Sequence, residues 1–237
     1  MPLSQVRAPS TTVALPVLSR LQDDPVRYAS FLRRGQIALG YTLVAGVAIA
    51  AGASVPLIDV FLGDRWAAVS PLFRILAFAG IFQTLAYVGY WVYLSRALTG
   101  ALLRYTIVTS LLKVGLITLG SHWGITGVAL GFAAGPALAW PISLWRLSRI
   151  TDIPLGGLYR GAGRVLAMAL LAGGATWGVC VAAAALPSLV TLLLGALTGV
   201  AVYALGALAL RPIRADVLSV VDILRQAVAS RRKPTPA

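Results

Sequence analysis

The sequence predicts an all-α integral membrane protein: a bundle of six transmembrane helices followed by a cytoplasmic amphipathic tail. Three observations predict it. The 237 residues are 59% hydrophobic, with a mean hydropathy of +0.86 and only 11% charged, against roughly a quarter charged in soluble domains. The apolar residues fall into runs close to the roughly 20 residues that a helix needs to cross the hydrocarbon core. The basic residues gather in the gaps between those runs, and mainly in every second gap.

Residues 1–36 read as a cytoplasmic basic segment. Up to residue 18 it is only weakly hydrophobic and is interrupted by Pro2, Pro9 and Pro16. Asp24 followed by Pro25 predicts a helix start, with a side-chain cap and then proline at the first helical position. The helix that follows, Val26–Arg34, carries Arg27, Arg33 and Arg34, which places it at the membrane surface. No continuous apolar core of a signal peptide is seen at the N-terminus.

Residues 37–210 hold the six spans, at about 37–62, 71–95, 101–120, 123–146, 163–186 and 189–210. The first two form a hairpin around the polar break Gly63-Asp64-Arg65-Trp66, a turn residue, two charges and an interfacial aromatic. Gly127, Gly131 and Gly135 make a row of small residues in the fourth span, and Gly195 with Gly199 in the sixth. Such rows allow close helix approach in lipid. Pro136 and Pro141 are expected to bend the fourth span. Residues 211–237 read as a cytoplasmic tail. Val217, Val220, Val221, Leu224 and Val228 share one face, with Arg214, Arg225 and the Arg231-Arg232-Lys233 cluster opposite, a pattern suited to anionic lipid.

The charge pattern orients the chain. Of 20 Lys and Arg, 17 fall before span one, after it in alternate loops, or in the tail, while Arg65 and Arg74 stand on the opposite side and Lys113 lies within a span. The positive-inside rule makes the 17 cytoplasmic, and both termini with them. Orientation therefore accounts for the net charge of +13 without a nucleic-acid partner. The partner implied is membrane lipid.

Signs of catalysis are scarce. The chain has no Glu, no paired carboxylates within a span and a single histidine, His122, in a tight loop. We expect no enzyme, no catalytic residue, no metal and no cofactor. Cys180, alone in an apolar run, reads as a small packed residue. Lys113 is the one full charge within a span. It is either a functional cation, with Asp59 as a possible partner, or a lysine snorkelling to the interface. In span two, Gln83, Tyr87, Tyr90 and Trp91 share a helical face by i, i+4 and i+3 spacing. Stacked aromatics around an amide would suit sugar rings; an interfacial aromatic belt is the other reading. Arg20, Arg27, Arg33 and Arg34 cluster at the mouth before span one, where planar guanidinium groups would suit a pyrophosphate or simply set orientation.

Several segments carry a family resemblance. Val13-Ala14-Leu15-Pro16-Val17-Leu18-Ser19-Arg20-Leu21-Gln22-Asp23-Asp24 resembles the P-x-L-S-R-L-Q segment of bacterial polysaccharide flippases. The run to Gly63-Asp64-Arg65-Trp66 and then Ser70-Pro71-Leu72-Phe73-Arg74-Ile75-Leu76-Ala77 resembles the hairpin that follows it there. Trp123-Gly124-Ile125-Thr126-Gly127-Val128-Ala129 resembles a later G-x-x-G-V-A segment. The family is the polysaccharide transporter branch of the multidrug/oligosaccharidyl-lipid/polysaccharide exporter superfamily, and the resemblance covers residues 2 to about 148. It implies two six-helix lobes in a V, moving an undecaprenyl-pyrophosphate-linked glycan between the leaflets of the bacterial inner membrane by alternating access. The chain resembles the C-terminal half alone. Residues 2–20 correspond to the end of a preceding helix, so a first lobe or a second copy is the implied partner. The expected function is transport of a lipid-linked polysaccharide precursor as that lobe. The alternatives are a membrane enzyme of envelope glycan assembly, a drug or ion antiporter of the same superfamily, and a truncated remnant.

Overall fold

The computed structural model describes residues 11–12, 14–154 and 156–218. All regular structure among them is helical. Six helical segments are long and apolar enough to cross a membrane: Pro25–Gly52, Asp64–Ser95, Thr99–Ser121, Gly124–Ile150, Gly156–Ala182 and Ser188–Ala209. The chain is thus a helical multi-pass membrane bundle. Of the predicted tail, residues 211–218 are helical; Val220, Val221, Leu224 and Val228 lie outside the described residues, as does the Arg231-Arg232-Lys233 cluster.

The first helix, α1 (Pro25–Leu39), starts as its sequence dictates. The Asp24 carboxylate accepts the Arg27 backbone N–H at 3.0 Å, and Pro25 occupies the first turn. No boundary separates a surface helix from a span. α1 runs through one π turn (Gly40–Val44) into α2 (Ala45–Gly52). A break that the hydropathy does not show interrupts the first expected span at Ala53, before α3 (Ser54–Leu62). Pro56 explains it. A proline ring clashes with the carbonyl four residues back and offers no N–H to it, and four residues back is Gly52. Gly63, at φ +87°, ends α3, and a 3₁₀ turn (Asp64–Val69) leads into α4 (Ser70–Ser95). Then come α5 (Thr99–Ser121), α6 (Gly124–Ile150), α7 (Gly156–Ala182) and α8 (Ser188–Ala209). α6 remains helical through both Pro136 and Pro141. α7 begins seven residues before the expected start of its span, so Arg160 lies within the helix.

Packing orders the helices as a row: α5 on α6, α6 on α4, α4 on α2, α2 on α7, and α7 on α8. The core lies mostly toward the arginine-bearing end, around Tyr28, Leu32, Val88, Val92, Leu144, Leu147 and Leu158. Leu18, in the helical residues 14–20 before α1, is fully buried in the same core.

The small-residue rows sit at the close crossings. A Cβ on Gly127 would collide with the Gly120 carbonyl, and one on Gly131 with that of Leu116, so α5 and α6 meet backbone to backbone. A Cβ on Gly195 would stand 2.6 Å from Cys180 Sγ, and one on Gly199 2.7 Å from Thr176 Oγ1. Cys180 is the buried packing residue that its apolar surroundings suggest.

Candidate functional site

α5 leans on α6 and touches α4 only lightly. The space left between α4 and α5, floored by α6, is a cleft of about 360 Å³. Each helix contributes a stripe at helical spacing. α4 supplies Gln83, Tyr87 and Tyr90; α5 supplies Tyr105, Thr109 and Lys113; α6 supplies Gly135, Ala139 and Ser143. Gly135 packs beside the Lys113 stem, which lies 3.4 Å from where a Cβ would stand.

The tyrosines are ordered by one another. Tyr87 and Tyr90 stack with centroids 5.8 Å apart, and Tyr93 and Tyr105 with centroids 5.7 Å apart. The Tyr105 hydroxyl donates to the Ala139 carbonyl at 3.1 Å, which ties the α5 wall to the floor. The Lys113 ammonium lies 4.0 Å from the centre of the Phe132 ring on α6. A contact of that kind is worth about 0.5–2 kcal/mol. Among the described residues no carboxylate comes within ion-pair distance of it. The cleft thus combines flat aromatic faces, hydroxyls, one amide and one cation, the groups that bind a polyhydroxylated ring and an anion.

Of the residues singled out from sequence, Gln83, Tyr87, Tyr90 and Lys113 come together here. Trp91 does not line the cleft. It is 3% exposed, lies under Gly35 of α1, and donates its indole N–H to Thr11 Oγ1 at 3.2 Å. It supports the cleft from behind, edge-on to Tyr87. Arg20, Arg27, Arg33 and Arg34 are exposed and none of them lines the cleft. Arg27 pairs with Asp24 at 3.3 Å, and Arg33 reaches toward Gly157 of α7. Asp59 is not the partner of Lys113. It accepts from the Ser188 hydroxyl and lines a separate cavity of about 340 Å³ with Asp64 and Arg74.

Tyr93, Tyr105, Thr109, Ser110 and Ser143 line the cleft without having been singled out from sequence. A signal for part of this set exists. Tyr105, Thr109 and Lys113 recur every four residues along a helix otherwise rich in Leu, Ile and Val.

Residues 1–71 match a family model described as "Polysaccharide biosynthesis protein". The match takes in the first quoted segment and the Gly63–Trp66 break, and ends at the second residue of α4. No curated protein and no solved structure matches the chain. The comparison supports a part in polysaccharide synthesis or export.

Proposed function

We propose that this chain is the C-terminal lobe of a flippase of the polysaccharide transporter branch, and that it moves a lipid-linked oligosaccharide across the bacterial inner membrane. The observation that carries this reading is the cleft itself. Gln83, Tyr87 and Tyr90 face Tyr105, Thr109 and Lys113 across a groove in a membrane bundle whose opening segment matches a polysaccharide biosynthesis family. Stacked tyrosines receive sugar faces and the hydroxyls and amide pair with sugar hydroxyls. The work is conformational, so no catalytic residue is assigned. The positive-inside rule puts Arg96, Arg104, Arg146 and both chain ends in the cytoplasm. The proposed substrate therefore enters beside these arginines, with its pyrophosphate at headgroup level. Arg20, Arg27, Arg33 and Arg34 set orientation and attract anionic headgroups on the same side.

The test is reconstitution. A fluorescent undecaprenyl-pyrophosphate-linked glycan is followed across vesicles holding the full chain, with and without a first lobe from the same family. Transport is expected with both lobes present. Tyr87→Ala should slow it about tenfold, the loss of one aromatic stacking contact, with insertion intact. Undiminished transport by Tyr87→Ala and Gln83→Ala would take the cleft off the path.

A further inference from the structure

We propose that Lys113 receives a carboxylate borne by the glycan, so that the cleft selects acidic over neutral saccharides. The inference rests on the glycan reading of the cleft and adds the charge class of its occupant.

Position carries the argument. Lys113 is fourteen residues from Thr99 and eight from Ser121, the two ends of α5, or about 21 and about 12 Å along the axis. The cleft extends from Lys113 to Leu102 on α5, eleven residues, or about 16 Å. Tyr93 and Tyr105 stand toward the arginine-bearing end of that length, with Arg104 next to Tyr105 in the chain and Arg146 one turn beyond Ser143. A pyrophosphate tied to a lipid stays at headgroup level. It meets those arginines at the end of the cleft, and Lys113 is most of the cleft's length deeper. What comes against Lys113 is the sugar portion.

The state of the lysine agrees. An ammonium held at this depth is costly unless something faces it. Among the described residues the ammonium faces the Phe132 ring, with no carboxylate at ion-pair distance. A ring face is a weak substitute for an anion, and it holds the ammonium inside the groove wall. Ser110, lining the cleft one turn away, offers its hydroxyl to the second oxygen of a carboxylate, while the Thr109 hydroxyl donates to the Tyr105 carbonyl at 2.8 Å. Gln83 faces the same space from α4.

The test uses the purified full chain in lipid nanodiscs and three soluble probes by calorimetry: trigalacturonate, neutral maltotriose and inorganic pyrophosphate. Trigalacturonate should bind about tenfold or more tighter than maltotriose, the margin of a hydrogen bond to a charged group. Lys113→Gln should bring the two to equal affinity, and Lys113→Arg should keep the preference, which also shows that the variants fold. Equal binding of both trisaccharides by the unsubstituted chain would overturn the carboxylate assignment and leave the glycan reading standing. Binding of neither would overturn both. Pyrophosphate competing with trigalacturonate in a manner abolished by Lys113→Gln would assign the lysine to the phosphate instead.

Discussion

The Arg164 guanidinium grips the Asp216 carboxylate with two hydrogen bonds, from Nε at 2.9 Å and from Nη2 at 3.1 Å. The pair fastens the helical residues 211–218 to α7, and Asp216 is 5% exposed. Removing the cation would take both of these charge-assisted bonds from a buried carboxylate, and breaking a buried pair on one side costs about 3–5 kcal/mol. Arg164→Ala should therefore lower the unfolding midpoint in detergent markedly. The double variant Arg164→Met/Asp216→Leu should recover most of that loss. A single variant as stable as the parent would show that the pair contributes nothing net.

Gln36 presents the opposite case. It is 1% exposed, and among the described residues neither its amide nitrogen nor its amide oxygen has a hydrogen-bond partner. It lies against α7, with Oε1 3.4 Å from where a Cβ on Gly161 would stand. A buried amide without partners costs about 1–3 kcal/mol. Gln36→Leu should raise thermal stability, measured by loss of folded protein on heating. A fall in stability would mean that the amide has a partner in the membrane-embedded protein.

How far the sequence could be read follows from which forces act locally. Span number and rough position depend on run length against bilayer thickness, a property of each segment alone; six candidate spans overlap the six apolar runs, but the first covers Pro25–Gly52 rather than 37–62 and the fifth starts at Gly156 rather than 163. The Ala53 break was missed because Pro56 sits in an apolar run and acts four residues upstream, where hydropathy is blind. The face Gln83–Tyr87–Tyr90 is readable from α4 alone. That it is completed by Tyr105, Thr109 and Ser143 depends on how α5 and α6 pack, and no single-helix pattern encodes it. Trp91 shares the spacing of that face yet turns to Gly35 and Thr11, because helix α1 supplies a bare backbone there. Asp59 in the first span is a possible partner of Lys113 in the third by opposite charge alone; the row order of the helices separates them.

Ala97 sits at φ +52°, the left-handed conformation at the end of α4. Its N–H reaches the Leu94 carbonyl at 3.1 Å, and the Leu98 N–H reaches the Tyr93 carbonyl at 2.9 Å. This is the paired helix stop in which glycine is the usual occupant. A Cβ in that region costs about 1–2 kcal/mol, and glycine's greater freedom in the unfolded chain offsets about half of it. Ala97→Gly should stabilise the protein by about 0.5–1 kcal/mol, read as a higher denaturant midpoint. Destabilisation would indicate that the loop relaxes away from this conformation in lipid.

Thr11 links the segment before α1 to the back of the cleft. Its hydroxyl lies 2.8 Å from the Tyr87 hydroxyl and accepts the Trp91 indole N–H at 3.2 Å. One small side chain thus orients a tyrosine that lines the cleft and satisfies a tryptophan that is buried behind it. Thr11→Val keeps the shape and removes both bonds; Thr11→Ser keeps both and removes a methyl group. Residues sharing a hydrogen-bond network couple by about 0.5–3 kcal/mol. Thr11→Val and Tyr87→Phe should therefore be non-additive in stability, the double variant losing less than the sum of the two single losses. Thr11→Ser should match the parent in stability and in maltotriose affinity, and Thr11→Val should weaken that affinity, because Tyr87 loses its bond to Thr11 without losing its ring. Strict additivity, together with unchanged affinity in Thr11→Val, would show that the Thr11 hydroxyl does not position Tyr87, whose ring packs on Tyr90 and Trp91.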